Sequence, residues 1–139
     1  MDDLVIMFMA LDNNLGLPKR LVALDSTSGD VRWGPLEMPD ANRLVINHRY
    51  AFVTRGNNGT VAAYDVHSGA LAWSRDLSGA GPILASDTAL VVRTDNGFNV
   101  LDPNGGNTLH TIASTSSQAL LADGRLFVVD NNTLNAFDI

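Results

Sequence analysis

Few residues in this chain have the type and spacing to do chemistry: three histidines and three Asp/Asn clusters. His48, His67 and His110 are separated by 19 and 43 residues. A local zinc site pairs its ligands a few residues apart, so this spacing provides none. His48 falls within Asn47-His48-Arg49 and His67 follows Asp65. Both are turn contexts, and a histidine without partners reads as an exposed turn residue. The oxygen-rich clusters are Asp12-Asn13-Asn14, Asp95-Asn96-Gly97 and Asp130-Asn131-Asn132. Calcium needs six to eight oxygen ligands, usually from a longer loop with spaced carboxylates. None of the three has that spacing, and turn formation accounts for each. The metalloprotease, hydrolase and P-loop motifs are absent. There is no Cys, which removes disulfides, iron–sulfur clusters, thiolate zinc sites and Cys nucleophiles. The reading therefore assigns no catalytic, cofactor-binding or metal-ligating residue and expects no enzyme and no cofactor.

Composition narrows the partners. The 139 residues are 45% hydrophobic and 17% charged, enough apolar material for one domain with a core. The net charge is -6, with 9 Lys+Arg. Such a chain is a poor neutraliser of phosphates, so nucleic acid is excluded as a partner. The longest apolar run, Leu4 to Leu11, is too short to span a bilayer. Asp2 and Asp3 precede it where a signal peptide would be basic. It reads as a buried strand, and a leader, if the protein is exported, lies outside this chain. The sequons Asn58-Gly59-Thr60 and Asn131-Asn132-Thr133 read as turn chemistry.

A repeat sets the elements that position these residues. Leu21-Val22-Ala23-Leu24-Asp25 is followed by Ser28-Gly29 and Trp33; Val61-Ala62-Ala63-Tyr64-Asp65 is followed by Ser68-Gly69 and Trp73. Every anchor is offset by 40 residues. A third copy runs from Phe98 to Asp102, then Gly105-Gly106 and His110. A fourth opens at Leu134 and reaches Asp138. Each copy is preceded by an apolar segment and a turn: Leu4–Leu11 with Asp12-Asn13-Asn14-Leu15-Gly16, Tyr50–Thr54 with Gly56–Gly59, Ala89–Arg93 with Asp95–Gly97, and Leu126–Val129 with Asp130–Asn132. Asn and Gly tolerate the positive φ of tight hairpins, so these segments read as antiparallel strands. Leading strands are read at Arg43–Asn47, Pro82–Ala85 and Gln118–Leu121. All five prolines are expected between strands.

A unit is thus four short strands in about 40 residues, the size of a propeller blade. The expected fold is all-β, a propeller of four-stranded antiparallel blades. The expected blades are residues 1–39, 40–79, 80–115 and 116–139, with three, four, four and three strands. Open edges at both ends invite association. Either the chain is a piece of a longer propeller or identical chains complete a ring. A ring junction would lack a leading and an outer strand, which favours the first.

The stretch Ala23 to Trp33 resembles the tryptophan-docking motif A-x-D-x-x-T-G-x-x-x-W of quinoprotein (PQQ-like) repeat propellers, the BamB-like and quinoprotein alcohol dehydrogenase-like superfamily. Ala63 to Trp73 is a second match. Both carry Ser where the pattern has Thr; the third copy has Val100, Gly105 and His110 at the Ala, Thr and Trp positions. The resemblance implies structural roles for Ala23, Asp25, Gly29, Trp33, Ala63, Asp65, Gly69 and Trp73, with Asp102 and Asp138 as the Asp of the later copies. It implies that each Trp packs between neighbouring blades, with His110 a weaker joint. Quinoprotein dehydrogenases hold quinone and calcium at the axis with a catalytic Asp, and many use adjacent cysteines. No catalytic residue carries over. The resemblance implies a non-catalytic scaffold for a protein partner, or an accessory or sensor domain, in the periplasm or at the cell surface. The alternatives are a fragment of a quinone-dependent dehydrogenase and a carbohydrate- or cell-surface-binding propeller.

Overall fold

The computed structural model describes residues 3–9, 19–56, 59–116 and 118–139. Among these, strands form four separate antiparallel sheets. The first contains β1 (Leu4–Met9), β2 (Arg20–Asp25) and β3 (Val31–Glu37). The second contains β4 (Ala41–Ile46), β5 (Tyr50–Arg55), β6 (Thr60–Asp65) and β7 (Leu71–Asp76). The third contains β8 (Ile83–Ala85), β9 (Leu90–Thr94), β10 (Gly97–Leu101) and β11 (Thr108–Ala113). The fourth contains β12 (Ala119–Ala122), β13 (Arg125–Asp130) and β14 (Thr133–Asp138). Each strand pairs with its sequence neighbour, so every link within a sheet is a local hairpin. Among the described residues no helix is long and apolar enough to cross a membrane.

Local chemistry explains the hairpins. Asn131 and Asn132 link β13 to β14 with φ of 49° and 63°. Two successive positive φ values are what a two-residue hairpin turn demands, and Asn tolerates them. β-branched and aromatic residues are frequent in the inner strands β5, β6, β9 and β10, where most positions on both faces are buried.

The hydrophobic cores lie between sheets. Leu21, Ala23 and Trp33 of the first sheet pack against Ala51, Val53 and Tyr64 of the second. Phe52, Val61 and Ala63, on the opposite face of that second sheet, pack against Leu90, Val92 and Leu101 of the third. Val91, Phe98 and Val100 of the third meet Leu126 and Val128 of the fourth. Successive residues of one strand thus serve successive interfaces, as the period-2 alternation of a strand requires.

Pro35 departs from expectation, since it lies inside β3. That strand is at the edge of its sheet, and its pairing with β2 slips register between Leu21 and Ala23. Gly34 bends the chain there at φ 85°. A proline at a bulged edge removes no ladder bond that the sheet needs. Several sequence readings fall outside the described residues: Asp2, the end of the first apolar run at Ala10-Leu11, the Asp12–Gly16 turn, Pro18, and Asn57-Asn58 with its sequon.

Candidate functional site: the turn end of the sheets

The hairpins β2–β3, β6–β7 and β10–β11 reverse at one end of their sheets, each on an Asp that closes the preceding strand. Asp25 Oδ1 accepts the backbone N–H groups of Thr27 (2.9 Å) and Ser28 (3.0 Å). Gly29 N–H donates to the Asp25 carbonyl at 2.8 Å. The next sheet repeats this. Asp65 Oδ1 accepts His67 N–H (2.9 Å) and Ser68 N–H (3.0 Å), and Gly69 N–H donates to the Asp65 carbonyl at 2.8 Å. The Ser hydroxyls also act alike: Ser28 Oγ accepts Asp30 N–H and Ser68 Oγ accepts Ala70 N–H, both at 3.2 Å. At Asp102 the frame persists, with Asn104 N–H to Oδ1 at 2.9 Å and Gly106 N–H to the carbonyl at 2.8 Å. Gly105 stands at the Ser position and has no hydroxyl to offer.

These bonds favour the charged carboxylates. The N–H groups of Ser28 and then Thr27 hold the Asp25 carboxyl below its ordinary range. At Asp65 partial burial pushes upward, but the N–H groups of Ser68 and His67 prevail and hold it low. Both are cases of hydrogen bonding to the ionised form.

The turns at Asp65 and Asp102 each also receive a ring from the neighbouring sheet. Trp33 donates its indole N–H to the Val66 carbonyl at 2.7 Å. Trp73 donates to the Pro103 carbonyl at 2.9 Å. Both acceptors are the residue after the turn Asp. The rings lie flat over the turn glycines: a Cβ on Gly69 would come 2.6 Å from Trp33 Cε3, and one on Gly106 2.6 Å from Trp73 Cε3. Ala23 and Ala63 are opposite the two indoles across their hairpins, and both are fully buried. A small residue there leaves the ring free to lean onto the next sheet. Among the described residues nothing lies within 4 Å of a Cβ built on Gly29. His110, paired across from Val100, is exposed and lines a groove with Phe137, Asp138 and Ile139. Asp138 accepts Arg125 Nε at 2.9 Å.

A second band of contacts joins the same end. The β4–β5 turn reaches the β8–β9 turn through Asn47 Nδ2, which donates to the Ser86 carbonyl at 3.0 Å. His48 Nδ1 lies 2.5 Å from Asp87 Oδ1. That contact with the His48 side chain holds the Asp87 carboxyl below its ordinary range. Arg49 reaches Asn104 Oδ1 at 3.5 Å, and Arg75 Nη1 donates to the Gly106 carbonyl (2.8 Å) and Thr108 Oγ1 (2.6 Å). His48 was expected as an exposed turn residue, and it is exposed; its link to Asp87 was not foreseen. The two residues are 39 apart, about one repeat period, and no local pattern marks them as partners. The same end therefore carries a row of turns tied to one another across sheets. Among the described residues no three His, Asp or Glu stand close enough to hold a metal ion.

The model of the family described as outer membrane protein assembly factor BamB matches residues 18–138. No curated protein matches the sequence. Among solved structures, BamB from Moraxella catarrhalis is similar with a TM-score of 0.69 at 19% identity, over 99% of this chain and 46% of that one. The computationally designed protein Ika8 is similar with a TM-score of 0.66 at 16% identity, over 100% of this chain and 44% of that one. A europium-containing methanol dehydrogenase is similar with a TM-score of 0.56 at 17% identity, over 82% of this chain and 23% of that one. The chain thus spans less than half the length of these structures. At such identities they show the fold alone, and that fold is a β-propeller of PQQ-like repeats, with the four sheets as its blades.

Proposed function

Because this chain belongs to the BamB-like family of PQQ-like repeat propellers, we propose that it is a non-catalytic scaffold that binds a protein partner through the turns at one end of its blades. The observation that carries this reading is the cross-sheet bonding of those turns. Trp33, Trp73, Asn47, His48 and Arg75 each reach a main-chain or side-chain acceptor on the next sheet. Turns held in this way form a pre-organised surface, and pre-organisation lowers the ordering cost of binding. Loops positioned by a rigid scaffold are where binding residues concentrate. The repeated Ala, Asp, Gly and Trp positions act here as docking elements that hold one blade to the next.

The test is photo-crosslinking in the native host. A crosslinkable residue is placed at His48 or His67 and, as the comparison, at Asn96 in the β9–β10 turn at the opposite end. One defined protein adduct at positions 48 and 67, absent at 96, supports the reading. Adducts equal at both ends, or none, refute it. The dehydrogenase reading is tested by adding pyrroloquinoline quinone with calcium or europium to the full chain. A rise in Tm with dye-linked alcohol oxidation would overturn the non-catalytic assignment.

A further inference from the structure

Three Asn-Gly steps occur in the chain, at Asn58-Gly59, Asn96-Gly97 and Asn104-Gly105. Asn is a thermolabile residue, and a following Gly leaves its backbone nitrogen open to the Asn side chain because it has no Cβ to shield it. The structure separates the three steps. Gly97 is buried in the middle of its sheet, paired with Thr94 on one side and Ala113 on the other. Gly59 is buried against Leu77 and Ala80, and Asn58 lies outside the described residues. Asn104 and Gly105 are both exposed, in the β10–β11 turn. Among the described residues the Gly105 N–H has no acceptor, whereas the Gly106 N–H beside it donates to the Asp102 carbonyl. The Asn104 amide is held at both of its ends. Its Nδ2 donates to Asp102 Oδ1 at 3.2 Å, and its Oδ1 accepts Arg49 Nη1 of the second blade at 3.5 Å. The second and third blades, which build this site, each have four strands.

We propose that Asn104 is a site of spontaneous modification, converting to aspartate and isoaspartate through a succinimide closed by Gly105. The Gly105 nitrogen attacks Asn104 Cγ. The N–Cγ bond forms, the Cγ–Nδ2 bond breaks, and the Gly105 proton leaves with the amide nitrogen as ammonia. Water then opens the ring at either of its carbonyls. Negative charge gathers on Oδ1 as the ring closes, and the Arg49 guanidinium stands where a cation stabilises it. The consequence falls on the joint between the second and third blades. Isoaspartate lengthens the main chain by one bond, inside a turn closed by Gly106 N–H to the Asp102 carbonyl and by Asp102 N–H to the Asn107 carbonyl, both at 2.8 Å. Either product also replaces an amide donor with a carboxylate near the Asp102 carboxylate. The Pro103 carbonyl, which this turn presents to the Trp73 indole N–H, then loses its fixed place. An aged chain loosens at Trp73 and not at Trp33, whose acceptor belongs to the turn of the second blade. The inference is independent of which partner the turn end binds.

The test ages the full chain at mildly alkaline pH and physiological temperature, with a fresh sample digested alongside. Peptide mass spectrometry scores each Asn-Gly step for the gain of one mass unit and identifies isoaspartate by its backbone fragments. The expected result is conversion at Asn104 several-fold ahead of Asn96 and Asn58. In a Trp33→Phe background the Trp73 urea transition should move to lower denaturant in step with the fraction converted. Gly105→Ala is the control. Gly105 lies outside the left-handed region, and a Cβ there meets only Asn107 Nδ2, at 3.4 Å, so the turn accepts it while the added carbon shields the attacking nitrogen. That variant should age with residue 104 intact and its Trp73 transition in place. Conversion at Asn104 no faster than at Asn96 or Asn58 overturns the inference. So does conversion as fast in Gly105→Ala as in its parent. A converted chain whose Trp73 transition stays where it was overturns the link from this site to the joint.

Discussion

Asp65 shows how a single side chain sets a turn. Its Oδ1 takes two N–H groups that would otherwise face away from any main-chain acceptor. These bonds favour the ionised form, so the folded carboxyl titrates below the ordinary aspartate range. A carboxyl lowered on folding contributes stability that is complete above the unfolded pKa and is lost as pH falls through the folded one. Asn keeps an oxygen in the same place but carries no charge. Asp65→Asn should therefore cost about 1 kcal/mol at neutral pH, because charge-assisted bonds exceed neutral ones by roughly that amount and the site is partly solvated. The cost should shrink as pH drops from about 5 toward 3. Urea unfolding of both proteins across that range checks this; a difference independent of pH would show that the charge is not what the turn uses.

At the scale of the element, the hairpin and the ring it receives form one unit. Gly29 and Gly69 hold nearly the same backbone, at φ 78° and 73°. Alanine at either site meets the left-handed penalty, about 1–2 kcal/mol. At position 69 the new methyl would also strike the Trp33 ring, which is buried and pinned by its bond to Val66. Overpacking of that kind costs a further 1–3 kcal/mol or so. Gly69→Ala should thus destabilise clearly more than Gly29→Ala, with a change in tryptophan emission that Gly29→Ala lacks. Equal losses in urea would mean that the ring moves aside freely. These hairpins were the most legible part of the sequence. Ala, Asp, Ser, Gly and Trp at an offset of 40 residues mark strand, turn and return strand because each residue meets a local demand. The placement of Pro35 was not legible, since only the pairing partner reveals that β3 is an edge with a bulge. Nor were the links from His48 to Asp87 and from Trp33 to Val66. Those join residues about one period apart, and no local pattern distinguishes them from residues that merely share a turn.

Across the whole molecule, stability should follow from nearest neighbours, as in other repeat proteins. No described sheet has a core of its own; each packed cluster spans two blades. Phe52 sits at the centre of the joint between the second and third blades. It is fully buried, with ring centroids 5.8 Å from Tyr50 and 6.1 Å from Trp73. Phe52→Ala should cost about 3–5 kcal/mol, the lost transfer free energy plus the cavity left behind. The loss should fall on one joint and leave the first-to-second joint packed. The two tryptophans report the joints separately: Trp33 lies in the first-to-second joint and Trp73 in the second-to-third. In a Trp33→Phe background the Phe52→Ala chain keeps only the Trp73 signal, and in a Trp73→Phe background only that of Trp33. Each is compared with its own Phe52 parent, because the background substitution itself weakens a joint. The Trp73 transition should move to lower urea by more than the Trp33 transition does. Coincident shifts would instead mean that the blades unfold as one cooperative block, with coupling between joints stronger than the joint that Phe52 fills.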